Sequence, residues 1–234
     1  MSPHPLQRLQ SPSRSFSLLL HVLGTLSFGY NFYFLTIWDT PFNDAYGWHF
    51  QFLTIIGLLG ALLAFVLGIL ADLTLSRSLF AAKNMVSVLA TPLEVVVALL
   101  YWGLSFIDPK LVFDGEFTMP LHVDLGFHML PAVFLTLDLV LLSPPWTIPV
   151  YGVMTLSTAL AFMYWYWIEL CFTKNGWYPY PLFELLTTPQ RILLFSFSAL
   201  LSTASSVMLR KVYGLLNGYE ASREQRLKQR EKVQ

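Results

Sequence analysis

The stretch WHFQFLTIIGLLGALLAFVLGILAD, Trp48 to Asp72, carries no Asp, Glu, Lys or Arg before its last position. A run of this length, about 20 residues or more and almost wholly apolar, is what an α-helix needs to cross a ~30 Å hydrocarbon core. Backbone polar groups have no water to bond in that medium, so a helix is the conformation that satisfies them. Gly57, Ala61, Ala64 and Gly68 recur at helical spacing within it and form a face of small residues against which a neighbouring helix can pack closely. Thr54 continues that face by one turn, so its hydroxyl points into a bundle rather than at lipid.

Working outward, further apolar stretches run from Phe16 to about Thr36, Met85 to Ile107, His122 to Leu142, Trp146 to about Thr173, and Arg191 to about Asn217. Over 234 residues the chain is 55% hydrophobic and 12% charged, whereas soluble domains carry about a quarter charged residues. The expected fold is therefore all-α: a polytopic six-helix transmembrane bundle over residues 16–217, preceded by a tail at 1–15 and followed by a charged tail at 218–234. The first stretch reads as a retained anchor, because it is long, ends in bulky aromatics and offers no small-x-small cleavage site. Pro92 and Pro131 fall inside helices and predict kinks. Tyr164 to Trp167, Trp177, Tyr178 and Tyr180 cluster at one end and fit an interfacial aromatic belt.

Charge placement predicts orientation. Arg8 and Arg14, Arg77 and Lys83, and Arg210, Lys211, Arg223, Arg226, Lys228, Arg230 and Lys232 fall on one side of the expected topology, against Lys110, Lys174 and Arg191 on the other. The positive-inside rule then puts both termini in the cytosol, in agreement with an even number of spans. A net charge of zero gives no reason to expect a nucleic-acid partner. The single cysteine, Cys171, excludes an internal disulfide framework and a cysteine-based zinc site.

Motifs for common chemistries are missing. There is no G-x-S-x-G, H-E-x-x-H, Walker loop or G-x-G-x-x-G, and Gly24 to Gly29 has one residue too many for a nucleophile elbow. The five histidines are His4, His21, His49, His122 and His128, and the six-residue spacing of the last two puts them on different helix faces, so no metal or other cofactor is expected. What stands out is polar groups within apolar stretches: Glu94, Asp124, His128, Asp138 and Glu169. Any one of them could simply tie helices together. No basic residue is expected deep enough to pair with the carboxylates. His128 is the group that can be a neutral base near pH 7, and Asp124 lies four residues earlier on the same face, where it could orient the imidazole. Counted from Trp48 and His122, Thr54 and His128 each lie about six residues in, or ~9 Å below the same boundary. A hydroxyl and an imidazole at one depth could serve acyl transfer, although topology alone does not select this pair.

At these residues the sequence resembles the androgen-induced and androgen-dependent (tissue-factor-pathway-inhibitor-regulating) family of multi-pass membrane proteins. The likeness rests on Tyr46-Gly47, Phe52-Leu53-Thr54 and Asp72-Leu73, then Gly126-Phe127-His128, then Gly176-Trp177-Tyr178 with Tyr180-Pro181 and Glu184. The resemblance implies a hydrolase of fatty acid esters of hydroxy fatty acids, with Thr54 as nucleophile and His128 as base. It further implies a lipid ester as substrate, and for a lipid hydrolase embedded in the bilayer the endoplasmic reticulum membrane is the expected location. Asp124, Glu94 and Asp138 are expected to orient the base or line the pocket. Two other readings remain open: a transporter or channel built on Glu94, Asp138 and Glu169, and a scaffold whose basic C-terminal tail binds partners or anionic lipid.

Overall fold

A computed structural model describes residues 12–112, 119–146 and 148–217, and every regular element among them is a helix. Eight α-helices follow in order: α1 Phe16–Ile37, α2 Leu53–Thr74, α3 Arg77–Ile107, α4 Leu121–His128, α5 Leu130–Leu142, α6 Val150–Asn175, α7 Leu182–Leu185 and α8 Thr188–Asn217. α3 is central and packs against α2, α5 and α8, while α1 covers α2 and α6 lies along α8. The ends holding Ile37, Leu53, Ile107, Leu121, Asn175 and Thr188 are called apical below, and the opposite ends basal.

The side chains are distributed as they are in a membrane protein. Phe106, Leu215, Tyr166 and Met85 are exposed, whereas Asp72, Lys83, Glu94 and Asp138 are buried. Four helices, α1, α2, α3 and α8, are long and apolar enough to cross a membrane, and the bent pair α4 and α5 makes a fifth span if taken as one. The chain is thus a multi-pass membrane protein. α6 has the length at 26 residues, but Glu169, Lys174 and the Tyr164 to Trp167 run make it less apolar than the others.

Three local features depart from the expected pattern. The helix expected over His122 to Leu142 bends near Pro131 as predicted, but the bend is a full break at Met129, where the halves meet at 45° with Pro131 in the first turn of α5. Proline lacks the amide a helix interior would use and is accommodated at a helix start. The helix expected from Trp48 begins as a 3-10 turn over Trp48–Gln51, and α2 itself starts at Leu53. Gly47 enters that turn with φ +86°, and a Cβ there would lie 2.9 Å from Cys171 Sγ, so both backbone angle and space call for glycine. The turn between the second and third helices is only Leu75 and Ser76, since α3 starts at Arg77, where the Ser76 hydroxyl accepts from the Leu79 amide at 3.4 Å. Lys83 therefore lies within α3 rather than in a charged turn.

Lys83 also overturns the expectation that no cation reaches the buried carboxylates. Its ammonium donates to both oxygens of Asp138, at 2.9 and 2.7 Å, and to the Ser143 hydroxyl at 2.9 Å. The His21 ring bridges Asp138 and Asp72 through its two nitrogens, and the Ser17 hydroxyl donates to Asp72 at 2.8 Å. Gly68 makes room for His21, since a Cβ there would lie 2.6 Å from the ring. This basal cluster joins α1, α2, α3 and α5. Glu169 is likewise paired, with Arg191 at 2.9 Å, and it accepts from the Tyr178 hydroxyl. The expected small face of α2 is realised, and Ala61 and Ala64 are fully buried in a core with Phe28, Phe65 and Leu58.

Candidate active site

His128 is the last residue of α4, and its placement follows from the break just after it. Nδ1 lies 2.7 Å from Asp124 Oδ1, so the i,i+4 pair expected from sequence is formed. A carboxylate can only accept, so Nδ1 carries the proton and the lone pair is left on Nε2, the tautomer a general base requires. The imidazole stacks on Tyr101, with ring centroids 3.4 Å apart and planes 2° apart. Trp102 Nε1 donates to the His128 carbonyl at 3.3 Å and fixes the helix end. Gly126 lets α4 approach α1, because any side chain there would collide with Asn31.

Thr54 sits in the first turn of α2 and is buried. The depth match counted from Trp48 does not carry over, because the helix starts five residues later than expected. The two residues still share a site: Thr54 and His128 line one cavity of about 210 Å³, together with Asp124, Tyr101, Tyr180 and His49. Thr54, Tyr101 and Tyr180 also line a second cavity of about 140 Å³, formed mainly by apolar residues of α3, α6 and α8.

Tyr101 carried no distinguishing signal in the sequence, and Tyr180 figured there only in the aromatic belt and the Tyr180-Pro181 motif, with no role at the site. The Tyr180 hydroxyl accepts from the Leu53 amide at 3.1 Å and interacts with Thr54. Burial pushes its phenol above the ordinary range, so it keeps a proton to donate. That proton is where an anion beside Thr54 would find a hydrogen-bond donor. Tyr164 donates to the Gln51 carbonyl at 2.9 Å and Trp167 Nε1 to the Phe50 carbonyl at 3.0 Å, so α6 clamps the turn that presents Thr54.

Two residues expected to orient the base or line the pocket lie elsewhere. Asp138 belongs to the basal cluster, and neither cavity includes it. Glu94 is fully buried against α2, where Gly57 leaves room for its carboxyl: a Cβ at 57 would lie 2.5 Å from Oε1. It also lines neither cavity.

Comparison with known proteins places these residues in context. The profile of the FAR-17a/AIG1-like protein family matches residues 16–214. A UPF0641 membrane protein of Schizosaccharomyces pombe is 29% identical over 206 residues, covering 87% of this chain and 92% of that protein. No solved structure matches.

Proposed function

The chain belongs to the FAR-17a/AIG1-like family, and from that premise we propose that it is an intramembrane hydrolase of fatty acid esters of hydroxy fatty acids, with Thr54 as nucleophile and His128 as base. The observation that carries this reading is the cavity shared by Thr54 and a His128 whose Nδ1 is held by Asp124. In the proposed reaction His128 Nε2 takes the Thr54 hydroxyl proton and the alkoxide adds to the ester carbonyl. The oxyanion is met by the Tyr180 hydroxyl. Collapse of the tetrahedral adduct breaks the bond to the alcohol oxygen, which receives the proton from His128 and departs as the hydroxy fatty acid. His128 next takes a proton from water, and the hydroxide adds to the acyl-threonine. Thr54 leaves with that proton, and the second fatty acid is released.

The reading includes six spans with both termini cytosolic, α6 being the sixth, in the endoplasmic reticulum membrane. The length of α6 and the charge distribution of the sequence support it. The transport reading has lost part of its motive, because Asp138 and Glu169 are held in ion pairs.

The test is turnover of a branched fatty acid ester by purified protein in detergent. Thr54→Ala and His128→Ala are expected to abolish it while the protein keeps its helical circular dichroism and elution volume. Unchanged rates in both variants overturn the proposal.

A further inference from the structure

The two cavities meet at Thr54, but His128 and Asp124 line only one of them. A base that takes the nucleophile's proton must return it to the departing alkoxide, so the alcohol half of the ester has to lie on the His128 side. The acyl half then extends from Thr54 the other way, into the mainly apolar cavity of α3, α6 and α8. That cavity is long. Along α3 it runs from Tyr101 to Val88, thirteen residues or ~20 Å at ~1.5 Å per residue. One leaflet of a ~30 Å hydrocarbon core is ~15 Å deep, so an extended acyl chain of membrane-lipid length fits within it.

The space exists because α6 and α8 present small side chains to it. Tyr164 and Phe195 face each other at the Thr54 end, their ring centroids 6.2 Å apart. Seven residues further along each helix, ~10 Å towards the basal end, Ser157 and Ser202 meet with their hydroxyls 3.0 Å apart. Both serines line the cavity, and beyond them Val88, Ile148 and Val153 form its far end. A hydroxyl pair can serve simply as a bond between two helices, but leucine or phenylalanine at either position would fill the bore halfway along.

We infer that the apolar cavity beyond Thr54 holds the acyl half of the substrate as one extended chain, that the cavity at His128 holds the alcohol half, and that Ser157 and Ser202 set the acyl length accepted. This rests on the hydrolase reading above. It assigns specificity to two residues outside the reacting groups and gives the ester one orientation.

The experiment uses the full chain in detergent and two substrate series: one alcohol with acyl groups from short to long, and one short acyl group on alcohols of increasing length. Ser202→Phe is expected to lower kcat/KM for long acyl groups by more than about 100-fold, since several methylenes lose their site, while short acyl groups and the whole alcohol series keep wild-type rates. Ser202→Ala should keep the wild-type length profile. A uniform loss across both series in folded Ser202→Phe, or a shift in alcohol preference instead, overturns the inference. Should Ser202→Phe fail to fold, Val88→Phe at the far end is expected to remove only the longest acyl groups, and an unchanged profile counts against the inference. Independently of turnover, a long-chain fatty acid with a terminal diazirine, added to Thr54→Ala protein in liposomes, should label the peptides around Val88 or Ile148 to Val153. Labelling there without hydrolysis by wild-type protein retains the chain-holding cavity and sinks the hydrolase reading together with the ester orientation. Hydrolysis that depends on Thr54 without such labelling sinks the acyl cavity alone.

Discussion

The imidazole of His128 lies flat on the phenol ring of Tyr101, the planes 2° from parallel. Asp124 holds one edge of the imidazole and Tyr101 one face, so the ring is positioned by two side chains from two helices. Stacked aromatic pairs contribute ~0.5–1.5 kcal/mol beyond area burial. Tyr101→Leu is therefore expected to lower kcat by up to about tenfold, while Tyr101→Phe, which keeps the stack, retains most of it. Steady-state ester turnover distinguishes the two, and equal impairment of both variants would mean that the hydroxyl matters rather than the stack.

Gly57 and Glu94 form a second close pair. Gly57→Ala forces the buried carboxyl to move and should cost ~1–3 kcal/mol of stability, an overpacking penalty. In a Glu94→Ala background the same change should cost almost nothing. Thermal unfolding of the four proteins in detergent measures the coupling, and additive effects would show that the contact is not the cause. Because Glu94 lines neither cavity, Glu94→Gln is expected to leave ester turnover unchanged.

In the basal cluster, Lys83→Met removes the ammonium from a fully buried Asp138 and should destabilise by ~3–5 kcal/mol. Lys83→Met with Asp138→Leu exchanges the pair for apolar side chains and should recover most of that loss. The midpoint of thermal unfolding reports both, and a double variant as unstable as the single one would refute the assignment.

His49, in the turn before α2, is buried and its Nε2 donates to Asn43 Oδ1 at 2.7 Å. Burial lowers its pKa to about 4 from the ordinary 6.5. Between those values the unfolded chain binds the extra proton and the folded chain does not, so stability falls as pH falls. The contribution is complete above about 6.5 and is lost on descent towards about 4. Wild-type protein should lose more of its melting temperature than His49→Gln between pH 7 and 5, and parallel curves for the two would assign the acid sensitivity to other groups.

Several of these relationships could be read along the chain because they are local or periodic. The face from Gly57 to Gly68, the Asp124 and His128 pair and the interruption at Pro131 each depend on residues within a few turns of one another. What could not be read is set by partners far apart in sequence. Tyr180 reaches the start of α2 from 127 residues beyond Leu53, and nothing local marks it out from its aromatic neighbours. Lys83 looked like a turn residue because the first two turns of α3 carry Arg77, Ser78, Lys83 and Asn84, too polar for a hydrophobic stretch to reveal a helix. Only the tertiary partner Asp138 makes that lysine an interior group.

That partner arrives late. Lys83 leaves the ribosome 55 residues ahead of Asp138, so α3 is synthesised with an uncompensated ammonium that lipid will not readily accept. Asp72 and His21 are already available, but the carboxylate that neutralises Lys83 comes only with α5. The basal end of α3 therefore reaches its charge-compensated packing only with α5 in place, which makes the fifth helix a condition for settling the third.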